Sequence, residues 1–187
     1  MAEVLLFHHA LGLTDGCRAF ADRLRREGHI VHLPDLYGGR TFGRLEDGVA
    51  HAEAVGFATI LERGSAAAER LPEALVFAGL SLGVMPAQML AQTRPGARGA
   101  LLLHSCVPAG EFGPWPAGVA LQIHTRDADP WGDADVARAL AASVPGAELF
   151  LYSGDRHLFT DASLPDHEEE AAALVMQRVL AFLARHG

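Results

Sequence analysis

Six short apolar runs, separated by longer stretches with helical spacing, constrain the fold of this chain more than any other feature. Runs of four or five such residues are too short for helices, and continuous apolar character is typical of strands that are buried on both faces. Strands that alternate with helices predict a mostly parallel sheet covered on both sides, an α/β fold. The predicted strands are residues 4–7, 29–33, 74–78, 100–104, 119–123 and 148–152.

The segments between these strands predict four helical stretches and one loop, and a fifth helix follows the last strand. Residues 104–118 contain three prolines and three glycines, so the fourth and fifth strands are predicted to be joined without a helix. No repeat and no linker divides the chain, which predicts a single domain over residues 1–187. The predicted helices are residues 13–26, 45–71 with an interruption near Gly64 and Ser65, 84–92, 133–143 and 166–185.

Composition excludes several classes of protein. Fifteen Lys and Arg against 23 Asp and Glu give a net charge of −8, which argues against a nucleic acid or an anionic membrane bound through a basic face. Two cysteines, Cys17 and Cys106, are too few for a disulfide framework or a zinc site made of thiolates. Without an apolar run of membrane-spanning length or a basic leader, the sequence predicts a cytoplasmic protein.

The strongest functional signal is the segment Gly79-Leu80-Ser81-Leu82-Gly83. It matches G-x-S-x-G, follows a predicted strand and precedes a predicted helix, which is the context of a nucleophilic serine. Such a serine stands on a sharp turn above the sheet, where the two glycines leave room for it and the following helix directs N–H groups at a developing oxyanion. Ser81 is therefore the candidate nucleophile, although two glycines at an ordinary strand-to-helix turn would give the same pattern.

A serine nucleophile needs a base and an orienting acid, which follow it in the order Ser, Asp or Glu, His in this type of fold. His157 is the candidate base, because it lies after the last predicted strand and before the last helix. The acid is expected after the preceding strand, where both Asp127 and Asp129 qualify. We favour Asp129 and keep Asp127 as the alternative, since one sequence does not resolve a register shift of two residues.

Together with the candidate triad, five segments of the sequence resemble the dienelactone hydrolase family of the α/β-hydrolases, over nearly the whole chain. The resemblance implies an α/β-hydrolase fold without a large cap domain, and a cofactor-free hydrolase of small esters or lactones that is a monomer or a weak homodimer. It also implies that Ser81, Asp129 and His157 form the triad, with the backbone N–H groups of Leu82 and Ala10 as oxyanion donors. The segments that carry it are LLFHHALG (5–12), GHIVHLPDLY (28–37), GLSLG (79–83), HTRDADPW (124–131) and YSGDRHLF (152–159).

Some positions depart from the family's pattern. The family commonly has a cysteine in G-x-C-x-G-G, whereas this chain has Ser81 and then Val84 in place of the second glycine. The founding type has a glutamate at the position of His9, and an arginine for the substrate carboxylate at the position of Asp161. An acid there is expected to repel a carboxylate, so the sequence favours a neutral ester or lactone. Arg40 lies near the family's other anion-binding position.

Other functions stay open at this point. His8, His9 and His104 all follow strands, but they lack the spacing of a zinc site, so we expect neither a metal nor another cofactor. A non-catalytic small-molecule binding protein and, less favoured, a metal-dependent hydrolase are the alternatives to a serine hydrolase. His9 is expected either to line the site or to make structural hydrogen bonds. The side chains proposed for a substrate pocket are His9, Arg40, Trp131 and Phe159.

Overall fold

The chain folds into one six-stranded sheet with helices on both faces, in a computed structural model that describes residues 1–187. Its elements are β1 (Glu3–Phe7), α1 (Asp15–Arg26), β2 (Ile30–His32), α2 (Leu45–Val55), α3 (Phe57–Ala68), β3 (Val76–Leu80), a 3-10 turn (Ser81–Gly83), α4 (Val84–Thr93), β4 (Gly99–Leu103), β5 (Ala120–Arg126), α5 (Ala134–Ser143), β6 (Glu148–Tyr152) and α6 (Glu169–His186). All strands are parallel, in the order β2-β1-β3-β4-β5-β6. The predicted α/β architecture is confirmed.

The core consists of two apolar clusters, one on each face of the sheet. Because successive side chains of a strand point to opposite faces, Leu5 and Phe7 belong to one cluster and Val4 and Leu6 to the other. The first cluster packs against α2, α3, α4 and α5, and the second against α1 and α6. Burial on both faces explains why the strands are continuous apolar runs in the sequence.

The predicted break in the second helical segment is wrong by eight residues. The chain leaves the helix at Gly56, whose φ of 88° is costly for other residues, and α3 continues without interruption through Gly64. Gly64 has a packing role, because a Cβ there would lie 2.5 Å from Cβ of Pro86 in α4. The glycine that sequence reasoning took for a helix break is thus a point of helix-to-helix contact.

The connection between β4 and β5 contains no helix, as predicted. Two glutamines of α4 hold this loop: Gln88 bonds both the carbonyl and the amide of Val107, and Gln92 donates to the carbonyl of Ala109.

None of the helices combines the length and the apolar composition that crossing a membrane requires.

The order of the strands reverses direction between β1 and β3. After β1 the chain adds β2 on one side of it. It then returns to the other side of β1, where β3, β4, β5 and β6 follow in order toward the opposite edge. In open parallel sheets such a switch point leaves a crevice at the carboxyl ends of the strands, where ligands bind. The loops after β1 and β3 flank this crevice, and the second of them begins with Ser81.

Candidate active site

Ser81 occupies a strained turn at the end of β3. Its φ is 49°, in the left-handed region that residues with a side chain rarely adopt. The turn brings residues 79 and 83 together so closely that a Cβ on Gly79 would lie 2.3 Å from the carbonyl oxygen of Gly83. A Cβ on Gly83 would lie 2.4 Å from the carbonyl oxygen of Phe7 at the end of β1. Both glycines of the motif are thus required by close backbone contacts.

Ser81, His157 and Asp129 form one continuous chain of hydrogen bonds. The Ser81 Oγ lies 2.6 Å from Nε2 of His157, and Nδ1 of His157 lies 2.6 Å from Oδ2 of Asp129. A carboxylate only accepts hydrogen bonds, so Nδ1 carries the proton and Nε2 is left to accept the proton of the serine hydroxyl. All three residues are buried, although they come from three different loops.

The structure brings Asp129, and not Asp127, to His157. The second carboxylate oxygen of Asp129 accepts a hydrogen bond of 2.9 Å from the amide of Trp131, which fixes the orientation of the side chain. Asp127 is exposed, and its carboxylate accepts from the amide of Gly154 in the turn after β6. Gly132 allows this packing, because a Cβ there would lie 2.9 Å from Oδ2 of Asp129.

The loop after β1 begins beside the turn that carries Ser81. Phe7 pairs with Gly79 in the sheet, and Gly83 packs on the backbone of Phe7 and His8. Ala10 follows in this loop; it is buried, and its N–H donates to no backbone or side-chain acceptor of the protein. A buried N–H that is left unpaired costs free energy, and such groups mark places where a ligand atom accepts the bond. Ala10 thus offers a free donor in the loop that follows β1.

His9 and Asp161 contact each other in a buried cluster next to this loop. Nε2 of His9 lies 2.7 Å from Oδ2 of Asp161 and 3.3 Å from Sγ of Cys17. The N-terminus of α1 approaches so closely that a Cβ on Gly16 would lie 1.6 Å from Oδ1 of Asp161. The same carboxylate also accepts from Thr14 Oγ1, at 2.6 Å.

The burial of these residues changes two expectations. Asp161 is only 3% exposed and is paired, so it does not present a negative charge to the cleft and gives no reason for rejecting an anionic substrate. His9 has its side chain in the same cluster and, being buried there, takes the structural role. Burial would lower the pKa of His9, but its hydrogen bonds with Asp161 and Cys17 outweigh that effect and raise the pKa to about 9.

The other two histidines considered for a metal site use their ring nitrogens elsewhere. His8 accepts from the amide of Leu36 through Nε2 and donates to the carbonyl of His9 through Nδ1, and burial lowers its pKa to about 4. His104 contacts Oγ1 of Thr160 through Nε2, at 2.7 Å. These three histidines therefore do not share a centre.

A cleft of about 390 Å³ opens beside the imidazole of His157. Trp131 is 44% exposed and forms part of its wall, whereas Arg40 lies on an exposed loop outside it. Phe159 is fully buried, with its ring below the guanidinium of Arg126, and lies in the core instead of the cleft. The lining residues are Arg44, Leu45, Glu46, Pro130, Trp131, Asp155, Arg156, His157 and Asp166.

A larger cleft, of about 790 Å³, lies away from this chemistry. Its walls are residues 109–110 and 113–119 of the β4–β5 loop and residues 143–145 at the end of α5. Residues 119 and 145 precede β5 and β6, so this cleft is at the amino ends of the strands, opposite to Ser81.

Two features of the site were not found from the sequence. The predicted start of a helix at residue 45 matches the start of α2, but nothing in the pattern indicated that Arg44 and Leu45 line the same cleft as His157. The contact between His9 and Asp161 joins residues 152 positions apart. The one available signal for it was that both positions depart from the family's pattern.

Comparisons with known proteins agree with this fold. The model of the dienelactone hydrolase family matches residues 1–187, whereas none of the curated proteins matches the chain. A crystal structure of a dienelactone hydrolase-like promiscuous phosphotriesterase from metagenomic libraries superposes with a TM-score of 0.78 at 18% identity, over 100% of this chain and 87% of that one. A putative dienelactone hydrolase from Klebsiella pneumoniae gives a TM-score of 0.76 at 20% identity, over 98% and 87%. The chain belongs to the dienelactone hydrolase family of α/β-hydrolases.

Proposed function

We propose that this protein is a serine hydrolase that cleaves a small ester or lactone by two-step acyl transfer. The observation that carries the proposal is the pair of 2.6 Å hydrogen bonds that join Ser81 to His157 and His157 to Asp129. A serine hydroxyl is a weak nucleophile unless a base takes its proton, and this chain of bonds provides the base in the required tautomer.

In the first step, Ser81 Oγ attacks the carbonyl carbon while its proton passes to Nε2 of His157. The buried carboxylate of Asp129 stabilises the imidazolium that forms. The N–H groups of Ala10 and Leu82 are proposed to bind the oxyanion, and losing one such donor costs about 3–4 kcal/mol of transition-state stabilisation in comparable sites. The imidazolium then protonates the leaving alkoxide, and an ester bond to Ser81 remains.

In the second step, water releases the acid from the serine. Nε2 of His157 takes a proton from the water as it attacks the acyl carbon, and the same proton returns to Oγ of Ser81 when the tetrahedral intermediate collapses. The enzyme is restored without a metal or a redox step. Since no chain segment covers Trp131 or His157 completely, water reaches the base through the cleft.

The charges of the cleft favour a neutral substrate. Its two arginines are already paired: Arg44 Nε lies 3.7 Å from Glu46, and Arg156 Nε lies 3.5 Å from Glu168. The lining also has three carboxylates, those of Glu46, Asp155 and Asp166, so the cleft offers an anionic substrate no net positive charge. We propose a small uncharged ester or lactone as the substrate. We further propose that the protein is cytoplasmic and works as a monomer or weak homodimer, without a nucleic acid or a membrane as partner.

A fluorophosphonate probe tests the proposed function directly. We expect the wild-type protein to form a covalent adduct, and peptide mass spectrometry to place it on Ser81. Ser105→Ala, which removes a serine that follows the neighbouring strand β4, should label like wild type. Absence of labelling, combined with ligand-dependent stabilisation and no product from a panel of esters and lactones, would identify a binding protein instead. Loss of activity on chelation would favour the metal-dependent alternative.

Replacing the acid should separate the two candidate aspartates. Asp129→Asn is expected to lower kcat by about 10⁴-fold, because an amide in its place favours the wrong tautomer of the histidine. Asp127→Asn should leave kcat within about threefold of wild type, since this exposed carboxylate contacts the Gly154 amide and not the imidazole. Initial rates on a nitrophenyl ester measure both effects. Equal losses in the two variants would argue against the assignment.

A further inference from the structure

The pair formed by His9 and Asp161 links the two loops that the proposed reaction needs. His9 immediately precedes Ala10, whose N–H is unpaired, in a loop whose first residues lie against Gly83 of the turn that carries Ser81. Asp161 lies four residues after His157, in the loop that carries the base. Their side chains meet at 2.7 Å, and both are buried outside the cleft, so neither touches a substrate there. The contact therefore connects the oxyanion donor to the base through the interior.

The carboxylate of Asp161 is the centre of a larger set of hydrogen bonds. Its Oδ2 accepts from His9 and from Oγ1 of Thr14, the residue that caps α1. Its Oδ1 accepts from both the amide and the hydroxyl of Ser163, at 2.8 and 2.6 Å. Four donors on one buried carboxylate hold it in a single orientation and keep the pKa of Asp161 well below its usual range, against the opposing effect of burial.

We propose that His9 and Asp161 are positioning residues, whose pairing holds the Ala10 N–H and the His157 imidazole at the separation that the transition state requires. The inference rests on the proposed function. Misplacing a catalytic group by about 1 Å is enough to cost about 100-fold in rate. A pairing that spans both loops is therefore expected to act on kcat, while substrate binding in the cleft is unaffected.

The cluster has the geometry of an ion pair and not of a metal centre. His9, Cys17 and Asp161 present three donor atoms within 4.8 Å of one another. The 2.7 Å between Nε2 and Oδ2 is a hydrogen-bond distance, whereas two ligands of one tetrahedral zinc ion, each at about 2.0–2.1 Å, would lie roughly 3.3 Å apart. Binding of zinc would therefore require His9 and Asp161 to move apart and to give up their hydrogen bond.

Protonation of His9 supports the pairing over a wide range of pH. The charged and titratable groups that face it are Asp161, Cys17 of α1, the adjacent His8, and His104 at the end of β4. With its pKa raised to about 9, the folded protein holds the imidazolium at neutral pH and loses it as the pH rises through about 9. The positioning effect should therefore weaken on the alkaline side.

Kinetics of two variants test the inference. In His9→Gln, whose amide can still donate to Asp161, we expect kcat for a neutral nitrophenyl ester to fall about tenfold, and in Asp161→Asn about 100-fold, with KM changed less than threefold. The double variant should be no worse than Asp161→Asn, because both substitutions act on the same pairing. Wild-type kcat should fall above pH 9, and the His9→Gln profile should lack this limb. His32→Gln makes the same change in a remote 2.7 Å pair with Glu3 and should match wild type.

Hydrogen exchange gives a readout that does not depend on activity. Backbone amides of residues 8–12 should exchange at least tenfold faster in Asp161→Asn than in wild type, and at the wild-type rate in His32→Gln. Variants with wild-type kcat, an alkaline limb retained in His9→Gln, or unchanged exchange would overturn the inference. So would zinc that copurifies at one equivalent and is lost in Cys17→Ala. If the wild-type protein fails to label at Ser81, the proposed function fails, while the exchange experiment still decides whether the pair positions the loop.

Discussion

Replacing Ser81 with alanine is expected to lower kcat for ester hydrolysis by about 10⁵- to 10⁶-fold, the largest effect of any single substitution in this chain. Oγ is the only heavy atom that the substitution removes, and it is the proposed nucleophile. The 2.6 Å hydrogen bond to His157, through which the serine would be activated, is lost with it. Residual rate above the uncatalysed reaction should remain, because the proposed oxyanion donors and the substrate cleft are unchanged.

The same variant should keep its fold, which makes the loss interpretable. Alanine retains the Cβ at the left-handed φ of 49°, so the strain of the turn is neither relieved nor increased. One preparation should be used to measure three quantities: the steady-state rate of ester hydrolysis, the extent of fluorophosphonate labelling and the melting temperature. A Ser81→Ala protein that melts like wild type and still hydrolyses the ester at more than a hundredth of its rate would exclude Ser81 as the nucleophile.

Gly79→Ala should cause a large loss of stability at the turn that carries Ser81. The added Cβ would lie 2.3 Å from the carbonyl oxygen of Gly83 and 2.5 Å from the amide nitrogen of Val84, and both are backbone atoms at the start of α4. Relieving these overlaps means moving the strand away from the helix. We expect the free energy of unfolding to fall by about 3 kcal/mol or more, which lowers Tm by about 6–12 °C in a chain of this size.

Gly110→Ala provides the matched control for that measurement. Gly110 lies in the β4–β5 loop, where a Cβ would meet no atom within 4 Å. Its free energy of unfolding should stay within about 0.5 kcal/mol of wild type. Similar melting temperatures for Gly79→Ala and wild type would mean that the turn accepts a side chain, and the argument that both glycines are needed to expose Ser81 would then be incorrect.

Local patterns explain why so much of the architecture was predictable. A strand buried on both faces has to be apolar throughout, and a serine held on a tight turn requires glycines on either side, so both are visible in a single sequence. Features decided by packing were not visible. Gly56 and Gly64 look alike in the sequence, yet one ends a helix and the other lies against Pro86.

The choice of acid and the role of Asp161 show the same limit. Asp127 and Asp129 follow one strand, and only the turn after β6, which supplies Gly154 to bind Asp127, decides which carboxylate is left for the histidine. Asp161 was expected to act on a substrate because its position matches an arginine with that role in the family's founding type. Its partner His9 comes from the other end of the chain, and no local pattern reports such a contact.

The close approach of α1 to Asp161 has a consequence for how this chain can change. With only 1.6 Å between a Cβ at position 16 and Oδ1 of Asp161, neither residue can be enlarged while the other is kept. Gly16 and Asp161 therefore form a coupled pair in sequence space: a side chain at position 16 becomes permissible only after position 161 has become smaller. An arginine at position 161 is larger than the aspartate, so it would fit only if the start of α1 were displaced from its present position.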